Sequence, residues 1–264
     1  MPDKDLLQKN HQSPVYHFWP LKEALLVGGT IFLVTFFVSY FIYHHALNAQ
    51  RGEIKEGLIR AALIVASSLD GDVHKQFVDP KQETGELYLS FIKPLQTALD
   101  QDKDIAFVYT AIMRGDKVHF IVDPTPPGDN DGDGVDDKAH IMEVYEDPPS
   151  EIVAALKQQK IQVTQAPYTD KWGSFMSAYV PFNDSQGNFV GVFGIDITAD
   201  NYFTRLAPML RATVRAMVAG FFVSFLVAAL VWFMRNFGSV VHQRRNEVIG
   251  DFQTLRDQVD KKSV

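Results

Sequence analysis

"TDKWGSFMSAYVPFNDSQGNFVGVFGIDI", residues 169–197, is the stretch from which the fold can be predicted. Residues 174–182 and 189–197 are rich in β-branched and aromatic side chains, so each segment is a predicted β-strand. The connector NDSQGN between them consists of residues that favour turns. We therefore predict two strands joined as a hairpin.

Upstream, residues 105–113 and 118–122 are two further predicted strands, separated by the turn sequence RGDK. Both pairs of strands are hairpins, and the antiparallel arrangement follows from such short connections. Strands joined mostly by hairpins, with helices on one face, indicate an α+β fold built on an antiparallel sheet.

Three segments between and before these strands are predicted as helices. Residues 47–69 carry apolar side chains at helical spacing and form one apolar face. Residues 84–99 are predicted as a helix with a kink at Pro94. Residues 150–159 are predicted as a short helix with Ser150 as its N-cap.

Two long apolar segments flank this region. Residues 24–43 and 216–234 contain no charged residue, and as helices each can cross a hydrocarbon core of about 30 Å. We predict that both are transmembrane helices rather than buried core helices. Lys and Arg residues flank the spans on both sides, so charge does not orient the chain.

The order of these elements, with WGSFMSAYVPF, DSQGN and GVFGIDI, resembles the PAS-like extracytoplasmic sensor domains of bacterial receptors, the PDC or single Cache group. The resemblance implies a PAS-like antiparallel sheet with a long N-terminal helix, flanked by the two transmembrane helices. It also implies a bacterial inner-membrane protein with both termini in the cytoplasm. The central domain would then be periplasmic or extracellular and bind a small polar ligand.

The predicted organisation combines the apolar segments with this resemblance. It is a cytoplasmic tail (1–23), transmembrane helix 1 (24–43), the sensor domain (44–210), transmembrane helix 2 (211–235) and a coiled-coil-like cytoplasmic tail (236–264).

Asp196 lies at the end of the last predicted strand. Alternation along the strand puts Gly194 and Asp196 on one face, with Phe193 and Ile195 on the other. A carboxylate there can accept hydrogen bonds from a ligand ammonium or hydroxyl group. The resemblance implies the same role, because related sensors often bind their ligand through an acid at this strand end. The alternative is that Asp196 caps the turn at residues 198–200.

Aromatic and hydroxyl side chains form a second candidate group. Ser177 and Tyr179 share one face of their strand, and Trp172 precedes it. Such side chains among apolar walls suit a small-molecule pocket, although core packing explains each one about equally well. The full set of predicted ligand-binding residues is Tyr109, Asp123, Tyr145, Trp172, Ser177, Tyr179 and Asp196.

The acidic sequence DNDGDGVDD begins at Asp129. Its Asp129, Asp131, Asp133 and Asp137 have the alternating spacing of calcium ligands, so Ca²⁺ is a candidate cofactor. His140 occupies the twelfth position, where an EF-hand has a bidentate Glu, which argues against an EF-hand. The alternative is a solvated lid over the ligand pocket.

The remaining patterns limit the function classes. The chain has 264 residues, a net charge of −7 and no cysteine. It contains no nucleophile elbow, metalloprotease motif or phosphate-binding loop, so we predict that it is not an enzyme. An acidic chain without a basic patch is also not expected to bind nucleic acid.

The C-terminal segment predicts the partners. Val248, Phe252, Leu255 and Val259 follow a 4, 3, 4 spacing, which is typical of a two-stranded coiled coil and predicts a homodimer. A frayed amphipathic helix is the alternative. We expect the domain to transmit a helix shift to a cytoplasmic effector that is either a separate protein or missing from this chain. The alternative function is a structural or assembly protein whose outer domain binds another protein.

Overall fold

The computed structural model describes residues 19–130, 132 and 134–262, with side chains described up to residue 256. Most of the predicted N-terminal tail, Asp131, Asp133 and the side chain of Val259 therefore lie outside the described residues. The chain divides into two compact units, one comprising His44–Leu210 and the other Met1–Tyr43 with Arg211–Val264.

The helices and strands follow one another in the order that the sequence predicts, with two additional short strands and one additional short helix, α2. The helices are α1 (Pro20–Ala66), α2 (Gly71–His74), α3 (Glu86–Phe91), α4 (Lys93–Gln101), α5 (Ser150–Gln158) and α6 (Ala199–Lys262), with a 3-10 turn at Pro80–Thr84. The strands are β1 (Ile105–Arg114), β2 (Lys117–Val122), β3 (Gln162–Val163), β4 (Tyr168–Asp170), β5 (Gly173–Asn183) and β6 (Phe189–Thr198).

The strands form one antiparallel sheet in the order β2-β1-β6-β5-β3, and β4 pairs with β5 beside β3. The predicted hairpins are β1–β2 and β5–β6, and β1 pairs with β6 at the centre of the sheet. In this register Tyr109 lies opposite Gly194, and Phe107 lies opposite Asp196. The predicted α+β, PAS-like sheet with a long N-terminal helix is confirmed.

One face of the sheet, which we call the helix face, packs against α1 to α4. The end of α1 buries Ile54, Leu58, Ala62 and Ala66, which recur every four residues and so lie on one side of the helix. From the sheet, alternate positions of β6 point to this face, including the fully buried Phe193. The helix face is therefore an apolar core of the ordinary kind.

The opposite face, which we call the loop face, is covered by α5 and by part of the acidic loop, residues 123–149 between β2 and α5. Ala139 and Tyr145 of this loop pack on the loop face, whereas Ile141 and Met142 pack on the helix face. Ile152 and Leu156 of α5 pack against Tyr109 and Tyr179 of the sheet. Here the strands also present Ser177 and Asp196, both buried, so polar groups are enclosed with aromatic rings on this face.

In the other unit, α1 and α6 are long and apolar enough to cross a membrane, judged by length and composition. Their contact depends on small residues. A Cβ atom at Gly28 would lie 2.6 Å from Ala228 Cβ, and one at Gly220 would lie 2.4 Å from Thr35 Cγ2. In each helix, only 6% of the most apolar 18-residue stretch is buried, as expected for surfaces that face lipid.

Two local predictions were wrong. The helix predicted for residues 84–99 is two helices, α3 and α4, and Pro94 lies in the first turn of α4, where its missing N–H is tolerated. Ser150 is not the N-cap of α5. That position belongs to Pro149, and the Ser150 hydroxyl donates to Glu151 instead.

Candidate ligand-binding site

A small pocket on the loop face lies between the sheet and the acidic loop. Its volume is about 20 Å³, which is room for about one water molecule. Three groups of side chains line it: aromatic rings, carboxylates and one alanine. They are Phe107, Tyr109, Phe120, Asp123, Asp137, Ala139, Tyr145, Asp170 and Trp172.

Aromatic rings close this pocket. The ring of Phe120 lies 5.2 Å from Tyr109, 4.8 Å from Tyr145 and 5.3 Å from Trp172, measured between centroids. Trp172 also donates a hydrogen bond from its indole nitrogen to the backbone oxygen of Asp136, at 3.0 Å. The indole therefore connects the pocket to the acidic loop.

Strand β6 provides the floor of the site. Asp196 lies between Phe107 on β1 and Ser177 on β5, and Gly194 lies between Tyr109 and Tyr179 in the same way. A Cβ atom at Gly194 would lie only 2.7 Å from the Tyr109 ring. The glycine is therefore required for Tyr109 to lie flat over the strand.

A network of hydroxyl groups continues from this floor. Tyr168 Oη lies 3.0 Å from Ser177 Oγ and 3.3 Å from Tyr179 Oη. Tyr145 Oη donates to Asp170 Oδ2 at 2.5 Å and lies 3.5 Å from Tyr168 Oη. Five side chains from two strands, β4 and β5, and the acidic loop are thus joined by polar contacts.

Asp196 is the buried acid of this site. Burial raises the pKa of its carboxyl group to about 8, and hydrogen bonding from Ser177 and Tyr109 offsets only part of this. Burial also raises the pKa of Tyr109 well above its usual range, and the charge of Asp196 adds to the increase. Asp196 Oδ1 and Tyr109 Oη are buried beside each other, and neither has a partner in normal hydrogen-bond geometry among the described residues.

Asp123 has a different role from the one its sequence position suggested. Its two carboxylate oxygens accept the backbone N–H groups of Thr125 and Ala139, at 2.8 Å each. Lys138 donates to the Asp123 backbone oxygen. Asp123 lines the pocket, but its carboxylate already joins residues 125 and 139 of the acidic loop.

The acidic loop is folded around its own carboxylates. Asp129 accepts the N–H groups of Gly132 and Gly134 at 2.6 and 2.9 Å. Asp137, which is buried, accepts the N–H of Asn130 at 2.6 Å. These are turn-stabilising bonds of the kind that Asp forms in loops.

The described part of the chain contains no group of three or more His, Asp or Glu side chains arranged to hold a metal ion. Asp131 and Asp133, two of the four predicted ligands, lie outside that part. Calcium binding therefore stays a prediction.

His140 connects the acidic loop to the 3-10 turn. Its Nδ1 lies 3.1 Å from Glu83 Oε2, and its Nε2 lies 3.5 Å from Asp136 Oδ2. Partial burial lowers the pKa of His140, but the two carboxylates outweigh this and raise it overall. The twelfth position of the calcium-like sequence is thus an ion-pairing residue.

The structure brings all seven predicted ligand-binding residues into one region. Four of them line the pocket, and Ser177, Tyr179 and Asp196 lie beneath it on β5 and β6. Sequence analysis missed Tyr168 and Asp170, which alternate along β4 just before Trp172. Their period-two spacing was the available signal, but three residues are too few to predict a strand.

No family model and no curated protein matches this chain. Among solved structures, the ligand-binding domain of the Campylobacter jejuni chemoreceptor Tlp3 in complex with L-valine is similar, with 15% identity and a TM-score of 0.42. That similarity covers 69% of this chain and 67% of that one.

Two further structures are similar over 64% of this chain, each at 13% identity. The amino acid chemoreceptor PctC of Pseudomonas aeruginosa in complex with GABA is covered over 67% of its length, with a TM-score of 0.37. The extracellular ligand-binding receptor of Desulfohalobium retbaense is covered over 27%, with a TM-score of 0.43. All three are receptor domains, the class of protein that the sequence resembles. Because the TM-scores are low, we base the function on the geometry of the site.

Proposed function

We propose that residues 44–210 are the ligand-binding domain of a membrane-bound sensor, and that the aromatic pocket binds a small organic cation. One observation carries this proposal: Asp196 Oδ1 and Tyr109 Oη are buried beside each other, and neither has a partner in normal hydrogen-bond geometry among the described residues. Buried polar atoms nearly always have a hydrogen-bond partner. A ligand that reaches the floor of the pocket would supply the missing contacts.

The charge of the pocket favours a cation. The described residues that line it include the carboxylates of Asp123, Asp137 and Asp170 and no Lys, Arg or His. The nearby lysines already have partners: Lys138 donates to backbone oxygens, and Lys171 pairs with Glu143 at 2.6 Å and lies 4.1 Å from the centroid of the Trp172 ring. Aromatic faces and carboxylates together attract ammonium groups.

Binding requires the pocket to open. A volume of about 20 Å³ cannot hold an organic molecule, so the aromatic rings must move apart. Trp172 is the best placed to do so, because a single hydrogen bond to Asp136 joins its indole to the acidic loop. A ligand that binds only the open arrangement shifts the domain towards it.

The signal would leave the site through β6. Asp196 lies two residues before the end of β6 at Thr198, and α6 starts at Ala199 without an intervening loop. The first turns of α6 are fixed to Asp104, which accepts a hydrogen bond from Asn201 at 3.2 Å and pairs with Arg205. A displacement of Asp196 is therefore passed directly to the start of α6.

Calorimetry on the full chain in lipid nanodiscs tests the ligand class. Butylamine, 4-aminobutyrate and butyrate have the same carbon count but differ in charge. We expect butylamine to bind more tightly than 4-aminobutyrate at this site, because the pocket offers no partner for a carboxylate. Asp196→Asn should weaken butylamine binding at least about tenfold, a loss of about 1.4 kcal/mol.

Asp116→Asn is the matched control, since Asp116 is exposed in the β1–β2 turn. Equal butylamine affinity in the wild type and Asp196→Asn contradicts the proposed site. If butylamine and 4-aminobutyrate both fail to bind, a role in assembly with another extracytoplasmic protein becomes the better explanation.

We also propose the membrane arrangement that the resemblance implies: an inner-membrane protein, both termini cytoplasmic, dimeric through its C-terminal tail, and acting on a cytoplasmic effector. Because the chain lacks cysteine, single cysteines report topology without background. In intact cells, a membrane-impermeant maleimide should label Asp116→Cys but not Phe252→Cys. Oxidation should crosslink Phe252→Cys, whose side chain is exposed. Labelling of both sites, or no crosslink, contradicts this arrangement.

We propose that the acidic loop is a lid over the pocket, and calcium binding by the loop is the second candidate function. Asp129 and Asp137 accept backbone N–H groups of the loop itself, which supports the lid. Calorimetry with millimolar calcium on the full chain separates the two functions. Heat that disappears in Asp129→Asn would establish the ion site.

A further inference from the structure

A second and larger cavity lies on the helix face of the sheet, with a volume of about 290 Å³. Its walls are aliphatic and aromatic and belong to the apolar core of this face. They include Phe77, Ile112, Ile121, Met142 and Val190. This cavity is separate from the aromatic pocket, because β1 and β2 present opposite sides to the two spaces.

His74 forms the polar part of the wall. It is 1% exposed, and its Nε2 lies 2.8 Å from Thr110 Oγ1, which also accepts the N–H of Val122. Burial lowers the pKa of His74 to about 3, so the imidazole is neutral at physiological pH. It adds a polar group to the cavity without adding a charge.

The mouth of the cavity carries positive charge. Lys75 pairs with Asp72 at 3.0 Å and Asp184 at 2.8 Å, so its charge is already compensated. Arg114, at the end of β1, is exposed and has no ion pair within the part of the chain that the structure describes. Its guanidinium group is the available anion partner at this opening.

Backbone strain marks the same cavity. Met142 has a φ of 65°, a conformation that costs energy for a residue other than glycine. It is held there by its N–H, which donates to Phe120 O at 2.7 Å, and by His119 Nδ1, 3.0 Å from its oxygen. Strained residues of this kind concentrate at ligand sites.

We propose that this cavity is a second binding site, for a small carboxylate with a short aliphatic chain. The aliphatic part of the ligand would occupy the space between Ile112, Val190 and Met142, and its carboxylate would pair with the Arg114 guanidinium group. A guanidinium group binds a carboxylate through two parallel hydrogen bonds, which selects an anionic head group over a neutral or cationic one. The domain thus has sites of opposite charge on the two faces of one sheet.

Butyrate is the probe, with butylamine and 1-butanol as cationic and neutral analogues of the same length. Binding is measured by calorimetry on the full chain in lipid nanodiscs, with empty nanodiscs subtracted. We expect butyrate to bind to the wild type. Arg114→Gln should lower the affinity for butyrate at least about tenfold, and Arg114→Glu should lower it further. Lys160→Glu is the matched control, because Lys160 is exposed and follows α5, which covers the other face.

Trp172→Ala separates this site from the aromatic pocket. Butyrate affinity should be unchanged in Trp172→Ala, and butylamine affinity should be unchanged in Arg114→Gln. The proposal is overturned if butyrate does not bind to the wild type, or if Arg114→Gln binds butyrate as tightly as the wild type does. It is also overturned if Trp172→Ala abolishes butyrate binding.

Discussion

Phe193 and Asp196 are three residues apart on β6 and lie on opposite faces of the sheet. On the helix face, Phe193 is packed among apolar side chains, and the buried polar residues His74 and Thr110 are hydrogen-bonded to each other. On the loop face, the buried Asp196 has an unpartnered oxygen beneath a ring of aromatic side chains. One strand therefore separates an apolar core that stabilises the fold from a polar site whose hydrogen bonds are incomplete.

This difference teaches which residues to assign to stability and which to the binding of an organic cation. Unpaired buried polar atoms destabilise a fold, and proteins retain them chiefly where a function needs them. Substitutions of the packed apolar residues on the helix face, away from the mouth of the second cavity, should therefore mainly lower the free energy of unfolding. Substitutions of the polar groups on the loop face should mainly change cation binding, and the two buried titratable groups, Asp196 and His74, should each change the pH dependence of stability.

Phe193→Ala should have the largest effect on stability. Phe193 is fully buried, so its truncation removes apolar contacts and leaves a cavity, at a cost of about 3–5 kcal/mol. Trp172→Ala removes a larger side chain from the loop face, but we expect a smaller loss because Trp172 is partly exposed. Denaturant unfolding of both variants measures the difference. Equal losses would mean that the loop face is part of the same rigid core.

Asp196→Asn should have the next largest effect, and only at higher pH. The folded state holds the Asp196 proton up to about pH 8, whereas in the unfolded chain the group ionises near 3.8. The contribution of the Asp196 carboxyl group to the free energy of unfolding is therefore fully present at low pH, and it is lost as the pH rises from about 4 to 8. At pH 8 the Asn variant should be more stable by on the order of 2 kcal/mol, and near pH 4 similar to the wild type.

The measurement is the melting temperature as a function of pH for both chains. Parallel curves would show that Asp196 is ionised in the folded state, which contradicts its raised pKa. Asp116→Asn, exposed in the turn after β1, serves as the control and should follow the wild type.

His74→Gln should reveal the opposite pH dependence on the helix face. The pKa of His74 is about 3 in the folded state and 6.5 in the unfolded chain, so the unfolded chain binds the proton more readily. Stability from His74 is therefore lost as the pH falls below about 6.5. Removing the imidazole should reduce acid destabilisation at pH 5 by about 2 kcal/mol. The measurement is the free energy of unfolding between pH 4 and pH 7. If His74→Gln loses as much stability at acidic pH as the wild type does, His74 is not a neutral, buried group.

Tyr109→Phe should have the smallest effect on stability, and a favourable one. The Tyr109 hydroxyl is buried without a described partner, so its removal should stabilise the ligand-free domain by up to about 1 kcal/mol. Tyr179→Phe is the matched comparison, because its hydroxyl lies 3.3 Å from Tyr168 Oη, and should destabilise the domain instead. Chemical denaturation compares the two. A larger loss in Tyr109→Phe would show that its hydroxyl is already satisfied.

The sequence was informative where its pattern repeated. The alternation in β5 and β6 predicted both strands within one or two residues and assigned Phe193 and Asp196 to opposite faces. The short strands β3 and β4 were missed, since two or three residues contain no measurable period. The missing partners of Asp196 and the second cavity could not be predicted, because both depend on how distant segments pack.

The buried carboxyl group of Asp196 has a consequence for what such a sensor would measure. An organic cation that pairs with this carboxylate must first displace the proton that the folded domain holds. The site then works as an ion exchanger, releasing one hydrogen ion for each ligand bound. Its occupancy would follow the ratio of ligand activity to hydrogen-ion activity, and acidification alone would empty it.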